Sequence, residues 1–177
     1  YIYIYIQAWY SPSAVYSETR KKFIIYWSAS QAECCAANWG VAQSNDGVHF
    51  ELVTMTGTSS FGADVSLDGS SLLIDDDGIG YVAYDAMRVP GEKDHIVAID
   101  RLSPDLLSSS NVRMHVFPDY FVEGAMLFKR KGIYYSIYGS CCCACRQGSG
   151  AVVFSSNNIQ GPWKRRSRDV NCKAGKL

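Results

Sequence analysis

The chain has 177 residues, and its 17 Lys and Arg balance 17 Asp and Glu, which gives no electrostatic reason to expect binding to nucleic acid or to an anionic membrane. Hydrophobic residues make up 47%, too many for a disordered chain, and no apolar run reaches the roughly 18 residues of a membrane-spanning helix. Twelve Tyr and 15 Gly favour strands and tight turns. The composition therefore predicts a soluble, mostly β protein that binds neither nucleic acid nor membrane.

Three similar units follow one another along the chain, with a period of roughly 54 to 58 residues. Each unit is a run of short apolar strands, and a polar turn joins the first two. The turns are at residues 17–20, 75–78 and 129–132. Gly78 and Gly132 supply the positive φ that a tight hairpin turn requires. The predicted units span residues 7–57, 64–108 and 121–166, and the first and third include a fourth, outer strand at 48–53 and 161–164.

Repeated small sheets of this kind predict an all-β fold, a β-propeller, because single hairpins are only marginally stable in water. Propellers typically have four to eight blades, so three units do not close a ring. We therefore expect residues 1–177 to form a single partial propeller domain of about three blades, a fragment of a larger protein. A compact domain of three repeats is the alternative.

The seven cysteines are clustered, which predicts either disulfides or a metal site. They are Cys34, Cys35, Cys141, Cys142, Cys143, Cys145 and Cys172. Zinc sites usually combine two well-separated Cys-x-x-Cys pairs, and adjacent cysteines fit that spacing poorly. The pattern favours disulfides and an extracellular, secreted protein, although the chain does not open on a secretory signal.

Two acidic residues precede the apolar strands that would line a propeller channel. Glu123 lies nine residues before Gly132, and Asp68 lies ten residues before Gly78. The first unit has Ser11 at the equivalent place. On spacing alone, such an acid is more often a solvated strand entry than a functional group, and both interpretations stay open.

Three segments, at residues 122–135, 72–81 and 151–163, carry motifs that resemble those of glycoside hydrolase family 43. Residues 122–135 (VEGAMLFKRKGIYY) are similar to its E-G-P-x-[LF]-[FY]-K-R-x-G-x-Y-Y motif, and residues 72–81 to its [LF]-F-x-D-D-D-G-x-x-Y motif. Residues 151–163 resemble the strand and Gly-Pro-[FW] turn that end a blade. The glutamate segment is the most specific of the three.

The resemblance implies a five-bladed propeller of mostly inverting glycosidases that act on arabinan, xylan or galactan-type glycans. It implies that Glu123 is the general acid, which must hold a proton near neutral pH, and that Asp68 is the carboxylate that tunes and orients it. Asp68 is one residue further from its turn than the motif expects; a bulge could absorb the difference, and Asp64 is the second candidate. The catalytic base, an aspartate of the first blade, would lie upstream of Tyr1, so the chain alone is expected to be inactive. The resemblance implies no cofactor.

Several other side chains near strand ends are candidate substrate-binding residues. They are Trp27, Asn38, Trp39, Tyr84, Tyr138 and Arg146. Aromatic rings can stack on sugars, but each of these aromatic residues could equally be a packed core residue. His49, His95 and His115 are interpreted as surface or satisfied histidines. The Asp75-Asp76-Asp77-Gly78 run is interpreted as a hairpin turn rather than a metal site, because it lacks the alternation of a calcium loop.

The sequence thus predicts a glycosidase that hydrolyses O-glycosidic bonds in a plant- or alga-type polysaccharide, with inversion at the anomeric carbon. A non-catalytic carbohydrate-binding propeller is one alternative. A secreted, disulfide-linked interaction domain without a sugar ligand is another.

Overall fold

The structure, a computed structural model, describes residues 8–30, 37–62, 65–87, 95–140 and 150–166. In this part of the chain all twelve elements are strands, arranged in three four-stranded sheets. None of the described segments forms a helix of the length and apolarity that crossing a membrane requires. The all-β prediction is confirmed.

Each sheet is an antiparallel meander in which the strands pair in chain order. The first sheet contains β1 (Ala8–Ser17), β2 (Lys22–Ser30), β3 (Ala37–Ser44) and β4 (Phe50–Gly57). The second contains β5 (Ser66–Ile74), β6 (Gly80–Met87), β7 (His95–Leu102) and β8 (Ser109–Val116). The third contains β9 (Val122–Arg130), β10 (Ile133–Ser140), β11 (Ala151–Ser156) and β12 (Lys164–Arg165).

The outer strand β8 is absent from the predicted second unit, which ends at residue 108. Its sequence, Ser-Ser-Asn-Val-Arg-Met-His-Val, contains no continuous apolar run, and half of its residues are exposed. It nevertheless pairs with β7, from Leu102 opposite Ser109 to Ala98 opposite Val116. An outermost strand has one open edge and little buried surface, so its sequence carries a weak hydrophobic signal.

The predicted hairpin at residues 75–78 is present and is tied to the third sheet. Its turn is closed by a hydrogen bond from the Gly78 N–H to the Asp75 carbonyl, 2.9 Å, with Gly78 at φ 81°. The carboxylates of Asp75 and Asp76 both contact Lys129 Nζ, and the Tyr134 hydroxyl donates to Asp75. The acidic turn therefore binds a neighbouring blade.

The second sheet is sandwiched between the other two, and this explains the continuous apolar sequence of β6. Every residue of β6 is buried. Val82 and Tyr84 belong to a core shared with the first sheet, whereas Tyr81 and Ala83 belong to a core shared with the third. Because side chains alternate between the faces of a strand, a strand with two buried faces is apolar throughout.

The first strands of successive sheets lie side by side. The Ser13 hydroxyl of β1 accepts a hydrogen bond from the Leu72 N–H of β5, 3.0 Å. One blade further, the Ser71 hydroxyl of β5 accepts a hydrogen bond from the Leu127 N–H of β9, 2.9 Å. The repeated contact makes β1, β5 and β9 the innermost strands and brings their starting ends together.

Candidate functional site

Glu123 is the second residue of β9, opposite Gly139 of β10, next to a shift in the register of the two strands. It is followed by Gly124 at φ 75°, a backbone conformation that glycine adopts without strain. Its side chain is 33% exposed. Glu123 therefore combines partial desolvation with access from the solvent.

Asp68 lies on the innermost strand of the second sheet, opposite Asp85 of β6. The register of β5 and β6 shifts between Asp68 and Ser70, and Gly69 (φ 47°) is the extra residue. This bulge accounts for the ten-residue distance from Asp68 to the turn glycine. The second candidate, Asp64, lies outside the described residues.

Glu123 and Asp68 line the same cleft, which has a volume of about 410 Å³. Residues of all three sheets contribute to its wall. They include Ser11, Asp68, Asp85, Glu123, Gly124 and Tyr138. The expectation that acids from neighbouring sheets share an opening therefore agrees with the geometry.

The electrostatic environment of Asp68 favours its protonated form. Burial raises the pKa of the Asp68 carboxyl, and the negative charge of Glu123 raises it further. The Gly69 N–H, which donates to Asp68 Oδ1 at 2.6 Å, and the nearby His95 act in the opposite direction. The net effect is a carboxyl that holds its proton to a higher pH than an ordinary aspartic acid.

His95 is the first residue of β7 and contacts Glu123. Its Nδ1 atom lies 3.4 Å from Glu123 Oε1, and its side chain is only 12% exposed. The ring meets that of Phe121 edge-on, with 6.2 Å between the centroids. The interpretation of His95 as a surface or satisfied histidine missed this contact, which joins strands of two sheets.

Asp85 was not predicted as a site residue. Its carboxylate is buried and accepts hydrogen bonds from the backbone N–H groups of Gly124 (2.7 Å) and Ala125 (3.1 Å). Burial raises the pKa of the Asp85 carboxyl well above its ordinary value, the charges of Asp68 and Glu123 add to this, and the two N–H groups oppose it. The available signal was a lone acid in the apolar strand Gly80–Met87, because a buried charge needs dedicated partners.

Trp39 and Tyr84, two of the predicted substrate-binding residues, are fully buried between the first and second sheets. Their rings meet edge-on at 5.1 Å, and the Tyr84 hydroxyl donates to Asp100 Oδ1 at 3.0 Å. Neither ring can stack on a sugar from this position. The packed-core alternative applies to both, because the face that each occupies is covered by the neighbouring sheet.

Tyr138 borders the cleft but is also almost entirely buried. Its hydroxyl donates to Asp119 Oδ2 at 2.7 Å. The ring of Tyr138 therefore forms part of the cleft wall, and its polar end is already engaged by the protein.

Trp27 and Asn38 are not among the described residues that line the cleft. Trp27 lines a separate apolar groove on the first sheet, next to Trp9, with 5.9 Å between the ring centroids. Asn38 lies on β3, opposite Ala29 of β2. Arg146 lies outside the described residues, as do all seven cysteines and the disulfides predicted for them.

Within the described ranges, no group of three or more His, Cys, Asp or Glu side chains is arranged to hold a metal ion. The carboxylates of Asp68, Asp85 and Glu123 instead engage backbone N–H groups and the imidazole of His95. The chemistry that this arrangement can perform is proton transfer at the mouth of the cleft.

Several solved structures share the fold of this chain. A family 43 β-1,3-galactosidase solved with galactodeoxynojirimycin has a TM-score of 0.70 and 16% identity, over 90% of this chain and 57% of its own. An endo-1,4-β-xylanase from Bacteroides thetaiotaomicron has a TM-score of 0.67 and 24% identity, over 91% of this chain and 54% of its own. An exo-β-1,3-galactanase from Clostridium thermocellum has a TM-score of 0.77 and 18% identity, over 92% of this chain and 36% of its own. At these identities the similarity concerns the fold, and the predicted propeller with about three blades in this chain is confirmed.

The chain spans about half the length of the first two of these structures and about a third of the last. No curated protein gave a significant match. The sequence profile of the glycosyl hydrolases family 43 matches residues 8–173, which is nearly the whole chain and includes every described residue of the cleft. The chain therefore belongs to glycosyl hydrolases family 43.

Proposed function

We propose that the protein containing this chain is a glycosidase in which Glu123 donates a proton to the departing glycosidic oxygen. The observation that supports this most strongly is the shared cleft of Glu123 and Asp68, which come from neighbouring sheets. A general acid must reach the substrate oxygen and hold a proton when the substrate binds. Glu123 is accessible at the cleft, and its charge is one of the causes that raise the pKa of the Asp68 carboxyl in the same cleft.

Asp68 is proposed to tune and orient this acid. The pKa of Asp68 is raised, first by burial and then by the charge of Glu123. When Glu123 loses its proton to the leaving group, Asp68 is therefore the neighbouring group whose own protonation responds.

Inversion at the anomeric carbon requires a second carboxylate, about 6.5 to 9.5 Å away, that activates a water molecule. Asp85 does not fit this role, because its carboxylate is buried and already accepts two backbone N–H groups. Among the described residues of the first sheet, Ser11 lines the cleft. We propose that an aspartate upstream of Tyr1 supplies the base, as the family resemblance implies.

The proposed substrate is a plant- or alga-type polysaccharide with galactan or xylan linkages. The names of the similar structures, β-1,3-galactosidase, exo-β-1,3-galactanase and endo-1,4-β-xylanase, support this choice. Aryl β-galactosides and β-xylosides are therefore the first substrates to test on the whole protein. The anomer released first, observed by NMR, distinguishes inversion from retention.

The test of the proposed acid is Glu123→Gln in the whole protein. With a phenyl glycoside, whose leaving group needs protonation, kcat should fall by about two to four orders of magnitude. With a dinitrophenyl glycoside, which leaves without protonation, the loss should be much smaller. Glu18→Gln is the matched control, since Glu18 is an exposed turn residue that contacts only Lys21 among the described pairs. An equal loss with both leaving groups would contradict the assignment.

The carbohydrate-binding alternative makes a different prediction for the same proteins. A binding propeller would retain oligosaccharide affinity by calorimetry and show no turnover of either aryl glycoside. Glu123→Gln would then change affinity only modestly.

A further inference from the structure

The buried carboxylate of Asp85 connects the backbone segments that carry the two candidate acids. Asp85 Oδ2 accepts the Gly124 N–H at 2.7 Å, and Oδ1 accepts the Ala125 N–H at 3.1 Å. Both donors follow Glu123 directly on β9, whereas Asp85 lies on β6 of the neighbouring sheet. The start of β9 is therefore attached to the second sheet through both oxygens of a buried carboxyl group.

The same carboxylate also lies against the residue that follows Asp68. A Cβ atom added to Gly69 would lie 2.7 Å from Asp85 Oδ2, so a side chain at position 69 would displace the Asp85 carboxyl group. Gly69 and Gly124 both have positive φ, 47° and 75°. Each candidate acid is thus followed by a glycine in an unusual conformation, and Asp85 contacts both glycines.

We propose that Asp85 is a positioning residue that fixes the distance between Glu123 and Asp68 by holding the Gly124 and Ala125 N–H groups of β9. Full burial costs a carboxylate much of its hydration, and among the described contacts its partners are these two N–H groups. A hydrophobic residue of similar volume would fill the space without that cost. The presence of an acid at this place is explained by the fixed geometry it imposes.

The consequence for catalysis rests on the proposed function of Glu123. A displacement of about 1 Å at a reacting group can reduce the rate of the chemical step about 100-fold. Because Asp85 is buried and touches the acid only through the backbone, its loss should alter the chemical step more than the binding of substrate. The expected signature is a lower kcat with little change in KM.

The experiment compares Asp85→Asn with Asp100→Asn in the whole protein. The asparagine amide keeps one acceptor oxygen but presents an NH₂ group to the second backbone donor, so one hydrogen bond is lost. Asp100 is the matched control, since it is a buried carboxylate of the same sheet that accepts the Ser60 N–H at 2.6 Å and does not line the cleft. Amide hydrogen exchange and the kinetics of an aryl glycoside are measured for both variants.

In Asp85→Asn we expect exchange at Gly124 and Ala125 to accelerate about 10-fold or more, and kcat to fall about 10- to 100-fold with KM nearly constant. In Asp100→Asn we expect faster exchange at Ser60 and an unchanged kcat. Unchanged exchange at Gly124 and Ala125 would overturn the proposal, as would an equal loss of kcat in both variants, which would indicate general destabilisation.

If Asp85→Asn does not fold, Gly69→Ala decides the question with the same readouts, because its methyl group displaces the Asp85 carboxyl group without replacing it. The exchange measurement needs no substrate and so separates this proposal from the assignment of Glu123. If Glu123→Gln retains full activity while exchange at Gly124 responds to Asp85→Asn, the proposed acid is wrong and the positioning contact stands.

Discussion

Asp68 and Asp85 face each other on the adjacent strands β5 and β6, yet their environments differ. Asp68 is partly exposed at the cleft and accepts the N–H of its own neighbour, Gly69. Asp85 is buried and accepts two N–H groups from another sheet. The two paired positions therefore place one carboxyl group where solvent reaches it and the other against the backbone of a neighbouring sheet.

The raised pKa of Asp68 predicts a specific dependence of stability on pH. Its folded-state pKa lies above the ordinary value of 3.8, so the native protein binds more protons than the unfolded chain in the window between the two. The free energy of unfolding therefore falls as pH rises from about 4 through the raised pKa of Asp68. Asp68→Asn should lack this decrease. In urea denaturation across the window, the free energy of unfolding of the variant should therefore rise relative to that of the wild type as pH increases.

The charge of Glu123 contributes to that shift, which provides an internal control. In the Glu123→Gln background the pKa of Asp68 should be less raised, and the decrease in stability should move to lower pH. A constant difference between wild type and Asp68→Asn at every pH would contradict the assigned environment.

The acidic turn of the second sheet predicts the opposite sign. Although burial acts to raise the pKa of Asp75, the hydrogen bonds from Lys129 and Tyr134 outweigh it, and that pKa is lowered. A carboxylate with a lowered folded-state pKa stabilises the folded protein above pH 3.8. This contribution to the free energy of unfolding is lost as pH falls through the folded-state pKa. Asp75→Asn should lower the melting temperature at neutral pH, and the difference from wild type should shrink in acid. Asp77→Asn is the comparison, because Asp77 is exposed and the hydrogen bond that its carboxylate accepts among the described residues comes from the nearby Ile79 N–H.

The sequence predicted the propeller from apolar runs and turn glycines, because strands buried on both faces, such as β6, leave a strong signal. The motif around Glu123 located one wall of the cleft. The role of Asp85 and the His95 contact could not be predicted, because their partners lie 39 and 28 residues away along the chain, on another sheet. The burial of Trp39 and Tyr84 depended likewise on which face the next blade covers.

The burial of Trp39 predicts that its truncation affects folding rather than sugar binding. Trp39 is 0% exposed and its ring lies edge-on to Tyr26 and Tyr84. Trp39→Ala should reduce the free energy of unfolding by about 3–5 kcal/mol, measured by urea denaturation. Trp9→Ala is the control, because Trp9 is 62% exposed and its loss should cost far less. A stable Trp39→Ala protein with weakened oligosaccharide binding would restore Trp39 as a substrate contact.

The contact of His95 with Glu123 predicts a kinetic effect that the sequence did not suggest. Nδ1 lies 3.4 Å from Oε1, and the His95 side chain is only 12% exposed, so the imidazole ring restricts where the Glu123 side chain can lie. His95→Gln keeps a polar group of similar reach and removes the ring. We therefore expect kcat to fall with a poor leaving group, which requires the acid, and to remain nearly the same with a dinitrophenyl leaving group. The control is His49→Gln, since His49 is an exposed residue paired with Asp46 on the first sheet. If both leaving groups respond equally to His95→Gln, the histidine acts on substrate binding or folding, and its contact with the proposed acid has no part in proton transfer.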